Sequence, residues 1–271
     1  MLFLYHIIFF ITYQFHIQLI YSTTGTDTDT GSSTTTVTAN LNNVQEDEHD
    51  SFYIPKDFDI NKFHQFGVFT EDISHRKRLN SKFMKELHSQ QKEDIILFHQ
   101  IFYGVVNGTF IESGALDGKK FSNAWAYEHA LGLTGLNIEG SPLNYKNLNE
   151  NRPNCVNVHA ALCREPRIVH YAEHSWGEVN GILEFMPDSF VKREMVQKAY
   201  KSTIDSNGAW SYSGMDETKT KVVPIQCQQF HEIIQKAQLT HIDLWSLVSS
   251  YSICWIVFVL GELLRTYIDI H

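Results

Sequence analysis

The sequence predicts an α/β fold, a doubly wound Rossmann-like parallel sheet, on three observations. Short β-rich runs alternate with stretches of helical periodicity from Asn80 to Leu247. Thr109 to Gly140 has the grammar of a nucleotide-binding β-α-β unit. His241 to Leu247 is apolar nearly throughout, as a parallel strand buried on both faces requires.

The β-α-β unit is the centre of the chain. Thr109-Phe110-Ile111 makes its first strand, which ends at Glu112 and opens into a glycine-bearing loop, Ser113 to Lys119. Trp125, Ala126, His129 and Ala130 share one face of a helix that Gly132 closes. Leu136-Asn137-Ile138 makes the second strand, ending on Glu139 and Gly140. An acid at that tip, 27 positions after Glu112, suits a ribose hydroxyl pair, and Gly114 and Gly118 let the loop backbone approach a ligand. The loop reads E-S-G-A-L-D-G, not G-x-G-x-x-G. A helix N-terminus aimed at a pyrophosphate wants few acids beside it, whereas Glu112 and Asp117 flank this loop. They would repel phosphate and suit a cationic ligand such as S-adenosyl-L-methionine. The plainer alternative is an ordinary β-α-β unit with turn glycines.

Residues 1–22 read as a targeting segment. Leu2 to Ile11 is apolar except for His6, close to the apolar region of a signal peptide, and Phe15, Ile17, Leu19 and Ile20 extend it toward a signal-anchor. Entry into the secretory pathway follows on either reading, with membrane attachment through residues 2–21 on the second; a buried N-terminal helix is the alternative. Residues 23–50 are a Ser/Thr-rich tract closed by the acidic run Glu46 to Asp50, with too little apolar surface to fold. Residues 51–89 form an N-terminal extension. Its first part, Ser51 to Lys77, mixes aromatics with turn residues and drapes over the domain.

The remaining elements follow in order. Asn80 to Tyr103 has helical spacing and stops at Gly104. Asn107-Gly108-Thr109 is a glycosylation sequon at the mouth of the first strand. Ser141-Pro142 is a hydroxyl cap followed by a first-turn proline. Cys155 to Leu162 reads as a third strand, Ile168 to Ala172 as another, and His174 to Gly181 as a loop over a cleft. Pro187 to Tyr200 reads as a helix, Ser202 to Lys221 as a polar loop, Val222 to Cys227 as a strand and Gln228 to Leu239 as a helix.

The net charge of −9 owes six acids to residues 27–50, leaving 22 bases against 25 acids, so nucleic acid is not an expected partner. The four cysteines fit an oxidising lumen; Cys163 and Cys227 could bridge or remain buried thiols, while Cys155 and Cys163 bracket one strand and do not pair. The fourteen histidines are scattered without metal-ligand spacing.

The chain resembles the FkbM-type methyltransferase domain. The residues that carry the likeness are Phe110 to Gly118, Gly135 to Pro142 with Tyr145, Asn151-Arg152, Val158 to Leu162, Val179 to Ile182, and Ile242 to Leu247, within residues 90–247. The E-S-G-A-L-D-G variant looks like the Star-like group of animal membrane proteins, linked to growth-factor trafficking. The resemblance implies a sheet of the S-adenosylmethionine-dependent methyltransferase type and transfer to an oxygen. Glu112, Gly114, Ala115, Asp117 and Gly118 would then line the methionine side, Glu139 the ribose, and Asn157 with Ala160 the adenine. His159 and His174 are weak candidates for a base. The partner would be a methyl acceptor or, in a non-catalytic trafficking protein, a protein cargo.

The pattern breaks after Leu247. The family strand runs into Asp-x-Glu-Gly; here Val248-Ser249-Ser250-Tyr251 follows, and residues 248–271 form a divergent hydrophobic tail. The sheet is therefore expected to be incomplete at its C-terminus. The tail reads as a splicing product, a capping helix or a short membrane span.

Overall fold

The computed structural model describes residues 8–11, 17–20, 51–175, 179–195, 201–204, 210–215, 218–249 and 253–257. The predicted stalk (23–50), the tip of the loop after His174 (176–178), the end of the predicted 187–200 helix (196–200) and most of the tail (258–271) lie outside the described residues.

Two strands, β1 (Ile8–Ile11) and β2 (Ile17–Ile20), pair antiparallel; the described parts of the N-terminal apolar segment are thus strands rather than a helix. β3 (Phe52–Tyr53) and a 3-10 turn, Ile60–His64, follow. β4 (Val68–Phe69) pairs with β5 (Val105–Val106). Between them run α1 (Ile73–Phe83) and α2 (Glu93–Leu97), which continues as a π-helical turn, Phe98–Phe102. The single helix expected over 80–103 is therefore two. Asp72 starts α1 early by accepting the Ser74 and His75 N–H groups. The break before α2 is held by Asp94, whose carboxylate accepts the N–H groups of His88 and Ser89 and the Ser89 hydroxyl.

The β-α-β unit forms as read: β6 (Thr109–Ser113), a π-helical turn Tyr127–Leu131 closed by Gly132 at φ 78°, and β7 (Thr134–Glu139). Gly135 is obligatory, because the Phe110 ring fills the space a Cβ would need. α3 (Pro142–Asn151) starts on the Ser141 cap, whose hydroxyl accepts the Asn144 N–H at 3.2 Å. The third strand divides into β8 (Val156–His159) and β9 (Ala161–Leu162), which join different sheets. The division falls at Ala160, whose N–H bonds back to the Glu139 carbonyl.

β10 (Arg167–His174), β11 (Gly181–Ile182) and α4 (Asp188–Glu194) come next, with Pro187 as the cap of α4 rather than its first residue. The segment 202–221, read as a loop, holds the hairpin β12 (Lys201–Ile204) and β13 (Trp210–Ser213) and the start of β14 (Thr220–Gln228). Its Thr, Ile, Trp and Tyr residues favour strands more than its polarity opposes them. α5 (Phe230–Lys236), β15 (Leu244–Ser249) and β16 (Ile253–Val257) complete the described chain.

The architecture is mixed α/β. Five strands in the order β15-β6-β7-β8-β3 form a mostly parallel sheet, with only β3 antiparallel. β16, β1 and β2 continue it antiparallel beyond β15. The described part of the tail is thus a strand, not a capping helix, and it pairs the β15 edge. A second sheet has the order β11-β10-β14-β9. Phe110 and Leu244 pack beneath α1, α2 and the π turns, while Ile111, Leu136, Ile138, Val156 and Val158 pack toward α5 and Phe63 on the other face. Phe52, Phe63, Leu79 and Phe83 belong to these two cores, so the extension is built into the domain. Among the described residues no helix is long and apolar enough to cross a membrane.

Candidate functional site

Order β15-β6-β7 makes β6 the point where the chain reverses its direction across the sheet: β7 and β8 lie to one side and β15 to the other. Open α/β sheets place ligands outside the carboxyl ends of the strands at such a point. Ser113, Glu139 and His159 stand at the carboxyl ends of β6, β7 and β8. The loop from Ser113 folds back over β7, with the Gly114 and Ala115 N–H groups both donating to the Ile138 carbonyl at 2.9 and 3.1 Å. Positive φ at Gly114 (78°), Leu116 (50°) and Gly118 (80°) gives the loop its curvature.

Glu139 joins that loop to its surroundings. Its carboxylate accepts the Leu116 N–H at 2.8 Å, the Ser141 N–H at 2.8 Å and the Tyr171 hydroxyl at 3.4 Å. With the Gly140 N–H also directed at it, the carboxylate has a donor for each of its about four acceptor positions, and the Tyr171 hydroxyl is the longest of the measured contacts. Tyr171 comes from β10, and Glu173 on the same strand accepts the Ser141 hydroxyl at 2.5 Å. The second sheet is thereby latched onto the β7 tip. Burial pushes the Glu139 carboxyl above the ordinary carboxylate range, against the pull of the Ser141 and Leu116 N–H groups.

That direction gives a prediction. A carboxyl with a raised folded-state pKa binds its proton more tightly folded than unfolded, so its favourable contribution is present below the unfolded value and is lost as pH rises through the folded one. The unfolding free energy of the wild type, minus that of Glu139→Gln, is expected to decline as pH increases from 4.5 upward. Denaturant titrations of both proteins across that range check it, and a flat difference removes Glu139 as the source.

Glu112 and Asn157 are elsewhere. Ser246, Glu112, Asn137 and Asn157 are register partners across β15, β6, β7 and β8, a polar row through the buried centre of the sheet. Glu112 accepts the Ser122 hydroxyl and the Asn123 N–H, both at 2.6 Å, and the Ala124 N–H at 3.3 Å, which caps the helical segment above it. Arg152, fully buried, lies 3.7 Å from the same carboxylate and pairs through Nε with Glu128 at 2.5 Å. Its Nη1 also donates to the Gly118 carbonyl at 2.9 Å, fixing the end of the loop. Burial works against the Arg152 charge, and the Glu128 and Glu112 carboxylates beside it favour the protonated guanidinium. Burial raises the Glu112 carboxyl even with Arg152 beside it. Asn157 is held by Asn137, Asn149 and the Arg152 carbonyl.

The predicted site residues therefore fall into two groups. Gly114, Ala115, Asp117, Gly118 and Glu139 come together in one loop-and-tip arrangement; Asp117 accepts the Lys119 and Lys120 N–H groups in a turn of its own. Glu112 and Asn157 lie in the polar row, and Ala160 is packed in the core with Ile233, Ile234 and Ile242. His159 stacks on Tyr145 at 5.1 Å and shares a 3.1 Å hydrogen bond with the Gly140 carbonyl, whereas His174 lies at the end of β10. Arg152 and Tyr171 were missed as site residues. Arg152 ends a helix just before a proline, where a surface charge is the ordinary reading, and no local signal marks Tyr171. Among the described residues no cluster of His, Cys, Asp and Glu could hold a metal ion. No family model, no curated protein and no solved structure matches the chain.

Proposed function

We propose that this is an S-adenosyl-L-methionine-binding, methyltransferase-like protein of the secretory pathway, with a doubly wound sheet of that enzyme class. The observation that carries the reading is the loop from Gly114 to Gly118 curled over the β7 tip and tied to Glu139 at the carboxyl edge of parallel strands. The residues present fit such a ligand in one respect: Glu139 sets a buried carboxylate at the strand tip under the glycine-bearing loop, where a ribose hydroxyl would take the place of its longest internal donor, the Tyr171 hydroxyl at 3.4 Å. When bound, the cofactor supplies an electrophilic methyl group on a sulfonium. Gly114, Ala115, Asp117 and Gly118 would hold its methionine portion, with Asp117 adding negative charge near the ammonium. Glu112, enclosed by its own donors, would act through the loop by fixing the helix that follows. The acceptor, oxygen-bearing on this reading, would be positioned in line at the same edge. The Cys163–Cys227 disulfide supports an oxidising compartment.

A second reading, a non-catalytic Star-like module that uses the same fold to bind a protein cargo, is favoured by the end of β15. Leu247, Val248 and Ser249 occupy it and the strand pairs with β16, while Asp243, ahead of β15, accepts the Thr109 and Gly67 N–H groups at the opposite edge. Among the described residues, β15 carries no carboxylate at this end that could serve as a base.

Calorimetric titration of S-adenosylhomocysteine into the full chain, beside Glu139→Ala, tests the proposal. Micromolar binding that the substitution abolishes is the expected result. A folded wild type that takes up no ligand overturns it and leaves the binding module.

A further inference from the structure

We propose that α1 and the β4 strand before it form a docking surface for an anionic lipid membrane. Five bases, Arg76, Lys77, Arg78, Lys82 and Lys85, lie between Ile73 and Lys85 with no acid among them, in a chain whose net charge is −9. Against the general charge balance this is a concentrated positive face. Lys77, Arg78, Lys82 and Lys85 are exposed, and Leu79 and Phe83 turn the opposite side of α1 into the core. The neighbouring side chains are apolar and uncovered: Phe66 is 52% exposed, Val68 57%, Phe69 54% and Ile73 62%.

These two features are contiguous. Arg76 lies over the Phe69 ring at 5.2 Å, which joins α1 to β4. Helical geometry puts Ile73, Lys77 and Met84 on the flank of α1 next to Arg76, and Met84 is exposed as well. A surface helix that alternates cations with exposed aliphatic and aromatic groups binds at a bilayer interface, its apolar groups entering the acyl boundary and its cations meeting headgroups. Nucleic acid fits less well, because the two exposed rings already carry partners, Phe69 the Arg76 guanidinium at 5.2 Å and Phe66 the His241 ring at 3.9 Å, and Val68, Ile73 and Met84 offer no flat face on which a base could stack. The five bases outnumber the acids that flank the helix in sequence: Glu71, Asp72, which accepts the first N–H groups of α1, and Glu86, which accepts the Trp125 indole N–H at 3.0 Å.

The test is flotation of the full chain with vesicles of phosphatidylcholine alone and of phosphatidylcholine mixed with phosphatidylserine. Any attachment through apolar surface alone is the same on either vesicle, so the readout is the increment that phosphatidylserine adds. The wild type is expected to gain about tenfold in binding on the anionic vesicles and to lose that gain in high salt. The combined Lys77→Ala, Arg78→Ala and Lys82→Ala variant is expected to show no increment, and Val68→Ser with Ile73→Ser a reduced one. All these side chains are exposed, and circular dichroism confirms that the variants fold. Equal binding to both vesicles overturns the proposal, as does an increment that survives the charge substitutions. Retention of a polyanion such as RNA or an acidic protein, with no response to phosphatidylserine, also overturns it.

Discussion

Replacing Arg152 with Met is expected to destabilise the protein by about 3–5 kcal/mol, because it removes one partner from a buried set of charges and leaves the others in place. Glu112 is as buried as the arginine and has its carboxylate 3.7 Å from the guanidinium; Glu128 is paired to it more closely. Without the cation, Glu112 must protonate or remain charged in a low-dielectric site. The Gly118 carbonyl loses its donor at the same time, which frees the end of the loop over β7. Urea unfolding of Arg152→Met, followed by circular dichroism, measures the loss. Adding Glu112→Gln to Arg152→Met should recover part of it, since the second change removes the stranded charge, and the resulting double-mutant cycle isolates the coupling. A loss below about 1 kcal/mol would make the row a set of satisfied hydrogen bonds in which the charge matters little.

The local grammar of the chain was readable where it is set by short-range physics. The β6–loop–β7 unit, the Gly132 stop and the Ser141-Pro142 helix start all depend on residues within a few positions of one another, and each formed as read. The elements that were misread depend on partners far away. β8 and β9 look like one strand in sequence because nothing between Cys155 and Leu162 interrupts the β pattern; the break comes from Glu139 drawing the Ala160 N–H while β14 draws Ala161. The hairpin in 201–213 looked like a loop because its hydroxyl-rich residues are equally at home in either.

The candidate site divides along the same line. Glu139 was found because a strand tip is a local feature. The role of Glu112 was not, because only the fold reveals that Ser122, Asn123 and Arg152 enclose it. A motif acid ending a strand can face a ligand or cap its own helix, and the sequence is the same in both cases.

Removing the Cys163–Cys227 disulfide is expected to cost about 4 kcal/mol, the loop-closure value for a bridge of this span. The two cysteines are separated by 64 positions, with Cα atoms 5.7 Å apart, and they pin β9 to the end of β14 where the chain leaves the parallel sheet. The consequence reaches the site through packing. Cys227 precedes α5, whose Phe230 stacks on Trp245 with ring centres 4.3 Å apart, and the Trp245 indole N–H donates to the Ser113 hydroxyl at 3.1 Å at the start of the loop. The bridge therefore steadies both the second sheet and the β6–β15 crevice. The comparison is the urea midpoint of the wild type against Cys163→Ser/Cys227→Ser, both without reductant. Burial pushes the Cys155 thiol up to about 12 in the folded protein and keeps it protonated there, and an acidic buffer suppresses thiol exchange in the unfolded chain. Coincident midpoints would show that the two sheets hold each other without the bridge, through contacts such as those of Tyr171 and Glu173, and that the crosslink follows the fold instead of supporting it.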